Sequence, residues 1–164
     1  MTGQDEVDRI VEAWERERPD LDVDPLRVFS RVSRLARHLD LARRAAFAQH
    51  GLEVWEFDVL SALRRAGAPY ELTPGTLLTQ TLVSSGTMTN RIDRLVDHGL
   101  VLRHSAPGDR RVVLVRLTER GQEIVDAAMT DLLAREAALL DRLRPGEDAE
   151  LAATLRTLLT PFEN

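Results

Sequence analysis

The chain has 164 residues, 43% apolar but only 4% aromatic, a composition that fills a core with Leu, Val and Ala and favours helices over a β-sandwich. It contains no cysteine, which excludes disulfide frameworks, thiolate zinc sites and cysteine redox sensing. The formal charge of −5 hides a polarised distribution: six arginines against three acids from Thr73 to Leu117, and nine acids against three arginines from Met1 to Asp24.

The acidic start, Met1-Thr2-Gly3-Gln4-Asp5-Glu6, carries no apolar signal core, and no apolar stretch approaches the ~18 residues of a membrane span. A cytoplasmic protein with no membrane partner is expected. Residues 5–18 read as a short amphipathic helix with Val7, Ile10, Val11 and Trp14 on one face, stopped by Pro19. After the acidic stretch 20–24, Pro25 opens a long helix to about Gln49, with Val28, Val32, Leu35 and Leu39 along one stripe. Gly51 breaks it. A third helix, Glu53 to Ala66, carries Trp55, Val59, Leu60 and Leu63, and Gly67-Ala68-Pro69 ends it.

Thr73 as N-cap and Pro74 as first helical residue predict a short helix to Leu82. Val83 and Ser84 make a tight turn, Ser84 or Ser85 caps a second helix to His98, and Gly99 stops it. Two short helices so joined are a helix-turn-helix. Residues 100–104 and 111–117 read as strands around the polar turn 106–110, forming a hairpin wing. A long helix from Thr118 to about Arg142, a break at Pro145-Gly146 and a last helix ending near Leu159 complete the chain. The fold class is mainly α with a small β wing.

On a 100° wheel, residues 84–98 split into two stripes. Met88, Ile92, Leu95 and Val96 are apolar and face inward; Thr87, Asn90 and Arg94 are polar and face outward. The polar types are those that reach base edges and phosphates in a major groove. Arg110 and Arg111 at the wing tip suit a narrow minor groove, with Asp109 expected to pair with Arg111 and orient it.

The run Asp109-Arg110-Arg111-Val112-Val113-Leu114-Val115-Arg116-Leu117-Thr118 resembles the wing signature D-x-R-x-x-x-V-x-L-T of the MarR family of regulators, and residues 84–95 resemble its recognition helix. The resemblance covers nearly the whole chain. It implies one winged helix-turn-helix domain over 1–164: residues 5–49 and 118–160 supply dimerisation helices and 53–117 the reading head. A homodimer on pseudo-palindromic double-stranded DNA follows, with Ser84, Ser85, Thr87, Asn90, Arg94, Arg110 and Arg111 as DNA contacts. The terminal helices carry apolar stripes too long for one subunit to cover, which agrees with pairing.

The extra helix before the long one is similar to the urate-responsive branch of the family. That branch places a Trp on the extra helix, an Asp before the helix-turn-helix, an Arg on the recognition helix and an Arg on the first wing strand; Trp14, Asp58, Arg91 and Arg103 stand at those places. The resemblance implies a repressor released by a small anion such as urate, held by Arg91 and Arg103, stacked near Trp14 and disturbing the charge balance at Asp58. Each residue also has a plainer reading: Trp14 as a staple, Asp58 in a structural ion pair, Arg91 on a phosphate, Arg103 as a solvated charge. A tricarboxylate or a phenolic or aromatic acid is the alternative ligand. His98 and His104, flanking the first wing strand, offer with a carboxylate a zinc-responsive alternative. No nucleophile–base set, phosphate loop or HExxH pattern is present, so neither an enzyme nor a cofactor is expected.

Overall fold

The computed structural model describes residues 3–81 and 84–163. Among the described residues seven α-helices and a small sheet follow in the order α1 (Glu6–Glu17), α2 (Asp24–Ala48), α3 (Val54–Arg65), β1 (Glu71–Leu72), α4 (Pro74–Thr81), α5 (Ser85–Asp97), β2 (Val101–Ala106), β3 (Asp109–Leu117), α6 (Glu119–Leu140) and α7 (Glu147–Leu159), with a short 3-10 turn, Thr160–Phe162, after α7. The mainly helical class with a β wing is therefore observed. Leu82 and Val83, read as a helix end and a turn, lie outside the described residues. The chain divides into two compact units, Met1–Arg43 and Arg44–Asn164.

In the first unit α1 begins at an Asp5 cap whose carboxylate receives the amides of Val7 and Asp8, while Asp8 returns a bond to the Asp5 amide. Val7, Val11 and Val23 form a small apolar cluster with Leu26 against it. Trp14, one turn further along the same face, stays 47% exposed. Ion pairs run from α2 back to α1: Arg27 to Glu15, Arg31 to Asp5 and Asp8, and Arg34 to Glu6. Hydrogen bonds from Arg31 hold the Asp5 and Asp8 carboxyls below their ordinary 3.8, and Arg34 does the same for Glu6 below 4.5.

The second unit holds the main core, where Phe47 and Phe57 stack at 3.9 Å beside Leu60, Leu63, Leu77, Met88, Ile92 and Leu95. Val96 departs from expectation. It is 37% exposed, because its place on the wheel falls at the edge of the stripe and the core ends with Leu95. The sheet has three strands, in the order β1-β3-β2, where the sequence suggested a two-stranded hairpin. Only two residues long, β1 pairs Glu71 with Arg116 and Leu72 with Val115, too short to carry an alternation of its own.

Gly99, with φ of 70°, closes α5 in a Schellman arrangement: the Leu100 amide bonds the Leu95 carbonyl and the Gly99 amide bonds Val96. The chain then passes under α6. Thr118 caps that helix, receiving the Gly121 amide at 3.0 Å, and the Leu100 carbonyl lies where a side chain on Gly121 would point. A Cβ there would come within 2.1 Å of that oxygen.

Gly121→Ala is accordingly expected to destabilise the second unit by about 3 kcal/mol, read as a lowered urea midpoint with unchanged slope. Docking of α1 carries a separate pH signature. The folded carboxyl pKa values are depressed, so the stabilisation is present above the ordinary values of 3.8 and 4.5 and is lost as pH falls through the lowered ones. Amide exchange in residues 6–17 should accelerate on acidification well before that of α3 (Val54–Arg65), after correction for intrinsic rates.

Candidate functional site

Helix α5 is two-sided. Met88, Ile92 and Leu95 are buried, while Ser84, Ser85, Thr87, Asn90 and Arg94 are exposed. Ser84 is the cap: its hydroxyl receives the Thr87 amide and sits 2.9 Å from the Thr87 hydroxyl. The sequence left Ser84 and Ser85 as alternatives; backbone geometry decides for Ser84.

The wing closes through Pro107-Gly108. From the Ser105–Val113 pair to the Ala106–Asp109 pair β2 advances one residue and β3 four, so residues 110–112 stand out of the ladder. Arg110 and Arg111 are thus displayed, exposed, where the strand departs from regular pairing. Asp109 acts on the backbone, in contrast to the expected pairing with the Arg111 guanidinium. Its carboxylate receives the Arg111 amide at 2.9 Å, because a side chain this short reaches the amide two residues on more readily than a long, solvated guanidinium.

Beside α5 lies a cavity of about 630 Å³, lined by Arg44, Ala48, Leu52, Glu53, Val54, Trp55, Asp58, Thr81 and Arg91. Asp58 and Arg91, two of the four residues expected to hold a ligand, come together in its wall. Trp55 is a wall residue that sequence reasoning passed over as one more apolar position of α3, although it stands one turn before Asp58 on the same face. The Cζ atoms of Arg91 and Arg94 lie 5.3 and 4.8 Å from the centre of its ring. Glu53 accepts the Trp55 indole N–H through Oε2, and Arg94 Nη2 at 3.1 Å through Oε1. The Trp55 bond first, and Arg94 second, hold the Glu53 carboxyl below the usual carboxylate range. Arg94, on the outward stripe, is therefore also engaged from the cavity side.

The other two expected residues are described within their own units. Arg103 is bonded to Asp93 and to the Thr89 carbonyl, both on α5, so it straps β2 to that helix and is not in the cavity wall. Trp14 belongs to the first unit. The histidines of the zinc reading have separate partners: His98 Nδ1 lies 3.1 Å from the buried Glu56, and His104 Nε2 2.9 Å from Glu71, which Arg116 also holds. Among the described residues no three His, Cys, Asp or Glu side chains gather as a metal site would require.

A family profile described as "MarR family" matches residues 50–112. Over 150 residues the chain is 36% identical to the HTH-type transcriptional regulator PecS of Dickeya dadantii (strain 3937), covering 92% of this chain and 90% of that protein. It is 30% identical over 148 residues to the HTH-type transcriptional repressor NicR of Pseudomonas putida (strain KT2440), covering 88% and 92%. Among solved structures it is similar to Sco5413, a MarR family transcriptional regulator from Streptomyces coelicolor, with a TM-score of 0.67, 28% identity, and coverage of 85% and 96%.

The engagement of Glu53 is open to direct titration. Trp55→Phe and Arg94→Ala should each raise its carboxyl pKa toward the ordinary 4.5, as followed by side-chain carboxyl NMR. Equal values in all three proteins would contradict the geometry.

Proposed function

The chain belongs to the MarR family of transcriptional regulators, and on that premise we propose that it is a homodimeric repressor of double-stranded DNA, released by a small anion, with urate as first choice. One observation carries the DNA-binding part: α5 buries Met88, Ile92 and Leu95 and so turns Thr87, Asn90 and Arg94 outward. Such a helix lies in the major groove, and the exposed Arg110 and Arg111 of the wing suit the adjacent minor groove. The name of NicR, a transcriptional repressor, favours repression.

Dimerisation is supported by uncovered apolar surface. Helix α7 has no buried residue, although it carries Leu151, Leu158 and Leu159, all at least 40% exposed, with Phe162 following at 83%. In the first unit Val28, Phe29, Val32 and Leu35 of α2 are likewise exposed. A second subunit removes such surface from water at roughly 25 cal/mol per Å².

Anion release is supported by the cavity. Arg91 stands on the border of α5 between its core and outward stripes, so a ligand held there acts on the reading helix directly. An anion near Asp58 disturbs the local charge balance, and a displacement of α5 by an ångström or two spoils groove registry. Release requires only that the anion favour the DNA-incompetent conformation, by about 1–3 kcal/mol.

Four measurements test this reading. Sedimentation should give a dimer. Binding to the protein's own upstream DNA should exceed binding to random duplex, and Arg110→Ala with Arg111→Ala should lower the log–log salt slope by about 0.9 per lost phosphate contact. Urate should dissociate the wild-type complex and leave that of Arg91→Ala largely intact; an equal response from both would remove the cavity from the mechanism.

A further inference from the structure

We propose that Trp55, rather than Trp14, is the aromatic platform against which the effector stacks, and that a planar anion seats there by drawing Arg91 off the indole. This rests on the reading of the cavity as the effector site and adds the residue that selects for a flat ligand.

The indole is held at its edge and covered on its ring. Its N–H is bonded to Glu53, which fixes the ring's orientation, and the guanidinium carbons of Arg91 and Arg94 stand 5.3 and 4.8 Å from the ring centre. A guanidinium is flat, cationic and donates through a fork. The ring in the cavity wall thus already carries a planar group, and that group, on Arg91, is the donor an entering anion requires. A flat anion meets both needs at once: its plane replaces the guanidinium on the indole and its charged edge pairs with the displaced fork. Asp58 stands in the same wall. Arg94 remains tethered to Glu53, so withdrawal of Arg91 unbalances two contacts one helical turn apart on α5. A non-planar, non-aromatic acid such as citrate pairs with Arg91 but gains nothing from the ring.

The chain has two tryptophans, so each single replacement leaves one emitter. Urate and citrate are titrated calorimetrically into wild type, Trp55→Phe and Trp55→Leu, and emission is followed in Trp14→Phe and Trp55→Phe with correction for urate absorption. Urate should quench the lone Trp55 of Trp14→Phe saturably and leave the lone Trp14 of Trp55→Phe unchanged. Its affinity should fall about 3- to 10-fold in Trp55→Leu and less in Trp55→Phe, with any citrate affinity unaltered. Urate binding with Trp55 silent, with the quench on Trp14, or with full affinity in Trp55→Leu overturns the platform and leaves the effector reading standing. Absence of urate binding in wild type overturns the platform together with urate as the effector.

Discussion

Burial of Met88, Ile92 and Leu95 sets the rotation of α5 about its own axis, and what that helix offers on its other sides follows from it. Each of the three is at most 1% exposed, and fully burying such a side chain contributes roughly 1.5–3 kcal/mol. A turn of the helix by one residue, 100°, would remove all three from the core. That cost far exceeds anything a surface polar contact returns, so the direction of Thr87, Asn90 and Arg94 is decided by residues that touch neither DNA nor ligand.

The same rotation leaves Arg91 and Arg94 on the flank toward α3, and there the arginines have competing uses. Arg94 faces outward, yet it is bonded to Glu53 and lies over Trp55. Its side chain is about half exposed, so the ion pair itself is weak, and on the proposed reading a phosphate or base edge would replace it at little cost. A fully buried pair would hold the arginine against DNA, whereas a half-solvated one orients it without retaining it. Arg103 shows a different balance, bound to Asp93 and the Thr89 carbonyl and serving to tie wing to helix.

The first unit is organised by another principle. Its apolar cluster is small, and around it arginines of α2 reach acids that also cap and line α1. The strongly acidic start of the chain is thereby matched with cations of this unit.

Much of this architecture is local and was readable. Helix spans follow from a period of 3.6 and from caps that act within four residues: Asp5, Thr73, Ser84, Thr118 and the stop at Gly99. The wing was visible because Pro107-Gly108 lies between two apolar runs, Leu100-Val101-Leu102 and Val112-Val113-Leu114-Val115, and the family likeness lies in the wing and recognition-helix motifs and in the extra N-terminal helix. Only the tertiary structure decided the rest. The strand β1 exists because β3 lies beside it, and Glu53 finds Arg94 across 41 positions. Trp55 became a cavity wall because α4 and α5 pack where they do. Contacts of that kind depend on where the core places each element, and no periodicity or spacing along the chain encodes them.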